Sequence, residues 1–139
     1  MYDAVADPYR YPGMTVLKNL LDIQDEEKLR AFEAALSTAR ADEPLPTGRF
    51  GVAHYRAVHH HLFQDIYPWA GRFRTVRIGK GQNAFCRPEQ IPSEMRKLFD
   101  ELWRKRRLCG LTRTAFAYEA AAFLSALNVI HRNGMDAML

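Results

Sequence analysis

Apolar residues recur at three- and four-residue steps in five stretches of the chain and alternate with polar ones in a single stretch. Val16, Leu17, Leu20 and Leu21 mark a short first helix. Asp25 is placed to cap a second, whose Leu29, Phe32 and Leu36 share a face. That helix should stop near Arg40, because Pro44-Leu45-Pro46 cannot continue it. Val52, Tyr55, Val58, Leu62 and Ile66 form the stripe of a third helix, closed by the aromatic turn Tyr67-Pro68-Trp69-Ala70-Gly71. Pro92 opens a fourth, carrying Met95, Leu98, Phe99, Leu102 and Trp103, and Gly110 stops it. The last, from about Thr114 to Ile130, bears Phe116, Phe123, Leu124, Leu127 and Ile130 with alanines between. A helix apolar on most sides is predicted to be the central, buried one.

The period changes once. Phe73-Arg74-Thr75-Val76-Arg77-Ile78 alternates in β-formers, Gly79-Lys80-Gly81 follows, and then Asn83-Ala84-Phe85. This pattern predicts a hairpin over about residues 72–86. Residues 1–13, rich in Pro, Tyr and Asp, read as an extended arm. The expected architecture is all-α: one helical bundle over residues 1–139 with one small β-hairpin.

A length of 139 residues suits one domain with a real core. No apolar run approaches 18 residues, and Met1-Tyr2-Asp3-Ala4-Val5 lacks the basic and apolar regions of a secretory signal. Neither a membrane nor export by that route is expected. Cys86 and Cys109 lie on unrelated segments and read as free thiols of a reducing, cytoplasmic setting. The net charge of +4 owes much to Arg104-Lys105-Arg106-Arg107. These residues read as the last turn of the fourth helix, where cations complement exposed carbonyls, and not as a nucleic-acid contact.

Three places could carry chemistry. His59-His60-His61 are adjacent, so on a helix their side chains point about 100° apart and cannot converge on one ion. No metal site is expected there. The hairpin has little core of its own, and a free edge can take up an extended peptide as an added strand. A purely structural hairpin covering apolar surface is the competing reading. His131 follows the last helix and precedes Arg132-Asn133-Gly134. Imidazole titrates near neutral pH and glycine admits backbone N–H groups to an oxyanion, which suits a general base beside an anion site. An ordinary helix terminus fits the same residues.

Taken together the segments resemble the Fic domain family. Asp7-Pro8-Tyr9, Tyr11-Pro12-Gly13 and Val16-Leu17-Lys18-Asn19 are similar to its lead-in. The run from His60 to Gly71 is similar to its segment before the hairpin, Arg77-Ile78-Gly79-Lys80-Gly81 through Phe85 to its flap, and Leu127-Asn128-Val129-Ile130-His131 to the approach to its catalytic loop. The likeness runs over about residues 7–134. It implies a protein adenylyltransferase that moves AMP from ATP, with magnesium, onto a Tyr, Thr or Ser hydroxyl of a target protein. It implies His131 as the base, and Arg132, Asn133 and Gly134 at the phosphates. Ile78, Lys80, Gly81, Gln82, Asn83 and Phe85 would form the flap that holds the target.

The loop departs from the family's His-Pro-Phe-x-x-Gly-Asn-Gly-Arg. Here it reads His131-Arg132-Asn133-Gly134-Met135, four residues shorter when Asn133-Gly134 is matched to the family's Asn-Gly. The acidic magnesium ligand is absent, and Met135 stands in place of the phosphate-holding arginine. Such a loop should cost several powers of ten in activity. No Ser/Thr-x-x-x-Glu-Gly/Asn inhibitory motif occurs, so inhibition would need a separate small antitoxin-like partner. The family type implied is a bacterial toxin, or an effector delivered into a host cell. A second reading is a non-catalytic protein-binding module on the same scaffold, and a third a basic helical nucleic-acid binder whose affinity falls steeply with salt.

Overall fold

The computed structural model describes residues 9–73, 79–80, 83–84 and 88–130. Among these, four α-helices carry the fold: α1 (Glu26–Ala41), α2 (Val52–Phe63), α3 (Ile91–Arg104) and α4 (Arg113–Ile130). One antiparallel pair joins β1 (Gly79–Lys80) to β2 (Asn83–Ala84), with Gly79 opposite Ala84 and Lys80 opposite Asn83. The chain divides into two compact units, Met1–Thr47 with Tyr55–Arg72 and Gly48–His54 with Phe73–Leu139.

In the first unit α1 starts where Asp25 accepts a hydrogen bond from the Lys28 N–H, and Glu26 and Glu27 occupy its first turn. Leu29 and Glu33 are its buried positions, and Val16, Leu17, Phe63, Ile66, Tyr67 and Ala70 complete the core. The helix expected over Val16–Leu21 does not form. The chain turns at Pro12-Gly13 and bridges Arg10 to Leu17, while Asn19 captures the carbonyls of Leu17 and Ile23 and the N–H of Ile23. A side-chain amide that satisfies backbone groups in this way competes with helix formation. Val16 and Leu17 are buried all the same, so the apolar pattern reported burial and not helix.

In the second unit α3 buries Ile91, Met95 and Phe99, one turn apart, with Pro92 in its first turn. It runs antiparallel to α4: Phe99 meets Phe123 edge-on at 5.3 Å, and Lys105 reaches Glu119 at 3.0 Å. Trp103 donates its indole N–H to the Phe50 carbonyl at 3.2 Å, tying segment 48–54 to α3.

The second unit departs from two expectations. The helix ends at Arg104, and Arg106, Arg107 and Leu108 have φ of 54°, 54° and 62°. Left-handed backbone costs about 1–2 kcal/mol per residue. It is offset by burial of Leu108 and by the Arg107 guanidinium 4.8 Å above the Trp103 ring. Nor is α4 a buried central helix among the described residues. Leu127 is its one buried position, and Tyr118, Leu124 and Val129 are 75%, 53% and 52% exposed. Only α3 and the 106–108 turn pack against it among the described elements, so one side is covered and the other is open.

Candidate functional site

The three histidines sit on the last two turns of α2 and are each spent on a different backbone group. The Gly71 N–H donates to His59 Nδ1 at 2.9 Å, His60 Nδ1–H donates to the Ala70 carbonyl at 3.1 Å, and His61 Nε2–H donates to the Arg40 carbonyl at 2.9 Å. Their divergence is the 100° step of the helix made visible. Among the described residues no three metal-ligating side chains converge.

Together with Arg56, which donates to the Gly71 carbonyl at 2.8 Å, His59 and His60 clamp the aromatic turn onto α2, while His61 ties α2 to the end of α1. Gly71 has φ +82°, and a Cβ there would lie 2.7 Å from the Arg56 carbonyl oxygen and 2.8 Å from His60 Cβ. Only glycine fits. Within the turn Tyr67 stacks on Trp69 at 4.5 Å, and Tyr9 meets Trp69 edge-on at 5.6 Å. The Tyr67 hydroxyl donates to the buried Glu33 carboxylate. Burial pushes both groups above their ordinary pKa, and for Tyr67 the neighbouring carboxylate adds to the shift. Arg40 forms a two-pronged pair with Asp65 at 2.7 and 2.8 Å, which holds that carboxyl below its usual range. Partial burial pushes the Tyr55 hydroxyl up to about 12.

The residues with the expected chemistry fall mostly elsewhere. His131, Arg132, Asn133 and Gly134 lie outside the described residues, as do Ile78, Gly81, Gln82 and Phe85. Of Lys80 and Asn83 the backbone is described: they face each other at the inner rung of the β1–β2 pair. α4 is described as far as Ile130, and His131 is the next residue along the chain. Asn128, one turn earlier, has its side-chain oxygen buried without a hydrogen-bond partner. Sequence reasoning did not single out Glu33 or the Gly71–His59 bond. The signal for Gly71 was the breaker position after an aromatic turn, whereas a lone glutamate on an amphipathic helix carried none.

A family model, the Fic/DOC family, matches residues 49–132, more than half of the chain. The chain belongs to the Fic/DOC family. It is 47% identical over 131 residues to "Probable protein adenylyltransferase y4lH" of Sinorhizobium fredii, covering 94% of this chain and 68% of that protein. It is 35% identical over 127 residues to "Probable protein adenylyltransferase Fic" of Escherichia coli, covering 90% and 63%. Among solved structures, BepC of Bartonella tribocorum with bound AMPPNP superposes with a TM-score of 0.73 at 28% identity, covering 91% of this chain and 70% of that one. The N-terminal Fic domain of a VirB-translocated effector from Bartonella sp. AR 15-3 gives 0.72 at 27%, covering 93% and 66%. This Fic/DOC chain thus spans about two thirds of the length of such relatives. The all-α architecture is that of the Fic domains. No helix among the described residues is long and apolar enough to cross a membrane.

Proposed function

We propose that the chain is a protein adenylyltransferase scaffold: it takes ATP and directs AMP to a Tyr, Thr or Ser hydroxyl of a target protein. The observation that carries this is the family match over residues 49–132, which takes in the β1–β2 segment and reaches His131 and Arg132. The His131 imidazole accepts the hydroxyl proton, the freed oxygen bonds to the α-phosphorus of ATP, and the bond to pyrophosphate breaks. Positioning and charge stabilisation supply most of the rate in such transfers. Asn133, Gly134 and Arg132 are the groups at the phosphates. Lys80 and Asn83, with Ile78, Gly81, Gln82 and Phe85, form the edge that receives the target segment.

The described residues do not make a magnesium site. No three metal-ligating side chains converge among the described residues, and the 131–135 loop offers no carboxylate. Magnesium would arrive on the triphosphate. Regulation by a separate small antitoxin-like inhibitor, and delivery into a host cell, belong to the same reading.

The short loop favours a second reading, a scaffold that binds its protein partner without transfer. Label from α-labelled ATP, followed into the chain and into a bacterial lysate, separates the two. A version with the full-length family loop should label a target, and His131→Ala in that version should lower labelling by about 10²–10⁴-fold. The chain with its own loop should fall at least about 10²-fold below that version. Absence of label from both would leave the binding module.

A further inference from the structure

The arginines after α3 lose the role that a longer helix would have given them. α3 stops at Arg104, and Arg106 and Arg107 lie on the left-handed turn that follows. Burial accounts for Leu108 in that turn and the Trp103 ring for Arg107, but Arg106 is exposed and has neither. Beyond the turn Arg113 is the first residue of α4, the positive end of the helix dipole, where a cation is disfavoured. The turn packs on both helices, so these cations share one end of the α3–α4 pair.

Arg104, Arg106, Arg107 and Arg113 are all exposed, and none pairs with a carboxylate among the described residues. Two carboxylates of this end are taken up by Lys105, which lies 3.7 Å from Glu101 and 3.0 Å from Glu119. Asp100, one turn before Arg104, is left over and balances one guanidinium of the four.

Aromatic surface adjoins the arginines within the same unit. Trp103 and Phe50 are 46% and 53% exposed, and the bond from the Trp103 indole to the Phe50 carbonyl sets the two residues side by side. Phe50 is left-handed, with φ 57°; its N–H donates to His54 Nδ1 at 3.1 Å, and its ring meets that of His54 edge-on at 5.3 Å. Among the described residues five other than glycine are left-handed. Four of them, Phe50, Arg106, Arg107 and Leu108, adjoin Trp103 or belong to the turn after it. Backbone strain and unbalanced charge gathered at one place are characteristic of a working surface.

We propose that this end of the α3–α4 pair binds single-stranded nucleic acid, with phosphates on Arg104, Arg106, Arg107 and Arg113 and bases stacked on Phe50 and Trp103. A guanidinium is planar and meets a phosphate with two parallel hydrogen bonds, where an ammonium is a point charge. An aromatic ring accepts any base, so the surface reads no sequence. An acidic protein segment would use the charge and leave the two exposed rings without a purpose. A duplex would keep its bases from them.

Fluorescence anisotropy of a labelled oligothymidylate with the 139-residue chain tests this without reference to activity. Four phosphate contacts at a slope of about 0.7 each should weaken binding about fifty-fold between about 50 and about 200 mM KCl. In Arg104→Gln with Arg106→Gln, both exposed positions, the same change of salt should cost only about sevenfold. Phe50→Ala should weaken binding at least about fivefold with unchanged far-UV circular dichroism. Binding should quench tryptophan emission, and Trp103→Phe should abolish the quench while Trp69 still emits. No binding at low salt overturns the proposal, as does a salt response that the double arginine variant leaves unchanged. Equal binding to polyglutamate, to anionic vesicles or to duplex, or a Phe50→Ala chain that binds as well as its parent, overturns it too.

Discussion

The end of α2 and the length of α4 present opposite relations between appearance and use. His59-His60-His61 has the look of chemistry, yet each ring is bound to a backbone group of its own unit: His59 and His60 hold the aromatic turn in place and His61 the end of α1. α4 has the look of plain core, yet half of it is uncovered and uncommitted among the described residues. Residue type is a poor guide to function when the groups it would act on are already satisfied. The informative quantity is what remains unpaired or uncovered once local partners have been assigned.

Stability measurements can break this contrast. Met95, fully buried on α3, should cost the most: Met95→Ala is expected to destabilise by about 2–5 kcal/mol in chemical denaturation, because the cavity cannot fully close. In the first unit Tyr67→Phe leaves the buried Glu33 carboxyl without its donor and should cost about 1–3 kcal/mol.

The same carboxyl gives a pH test. Burial raises the folded pKa of Glu33 above its unfolded value of 4.5, so the folded state holds the proton more tightly. Stability from this site is full below pH 4.5 and is lost as pH rises through the folded value. Glu33→Gln should flatten that loss, read as the change of unfolding midpoint between pH 4 and pH 7. The Arg40–Asp65 pair has the opposite sign, since a lowered carboxyl loses its contribution as pH falls below 3.8. Smallest of all, Leu124→Gln on the open side of α4 should change stability by no more than about 0.5 kcal/mol. A larger loss would mean that this face is covered within the chain.

Much of the helical layout was legible in the sequence. Asp25, Pro92 and the three- and four-residue apolar steps fixed where α1, α2, α3 and α4 run, because caps and periodicity are local properties. The order of segments over about residues 7–134 carried the family. The helix expected at Val16–Leu21 failed because Asn19 captures the backbone there, a competition that apolar spacing does not register. The continuation of α3 through Arg107 failed because Leu108 finds a buried position that a straight helix would not reach.

By itself, then, the sequence determined where α1–α4 run, the divergence of the three histidines and the departure of the loop at His131–Met135 from its family, all consequences of residue type and spacing along the chain. Tertiary structure alone decided that Glu33 would be buried against Tyr67, that Gly71 would have no room for a side chain, and that α4 would be covered on one side. Each of these depends on which distant segment arrives at a given face, and a one-dimensional pattern does not encode the number of neighbours a face will have.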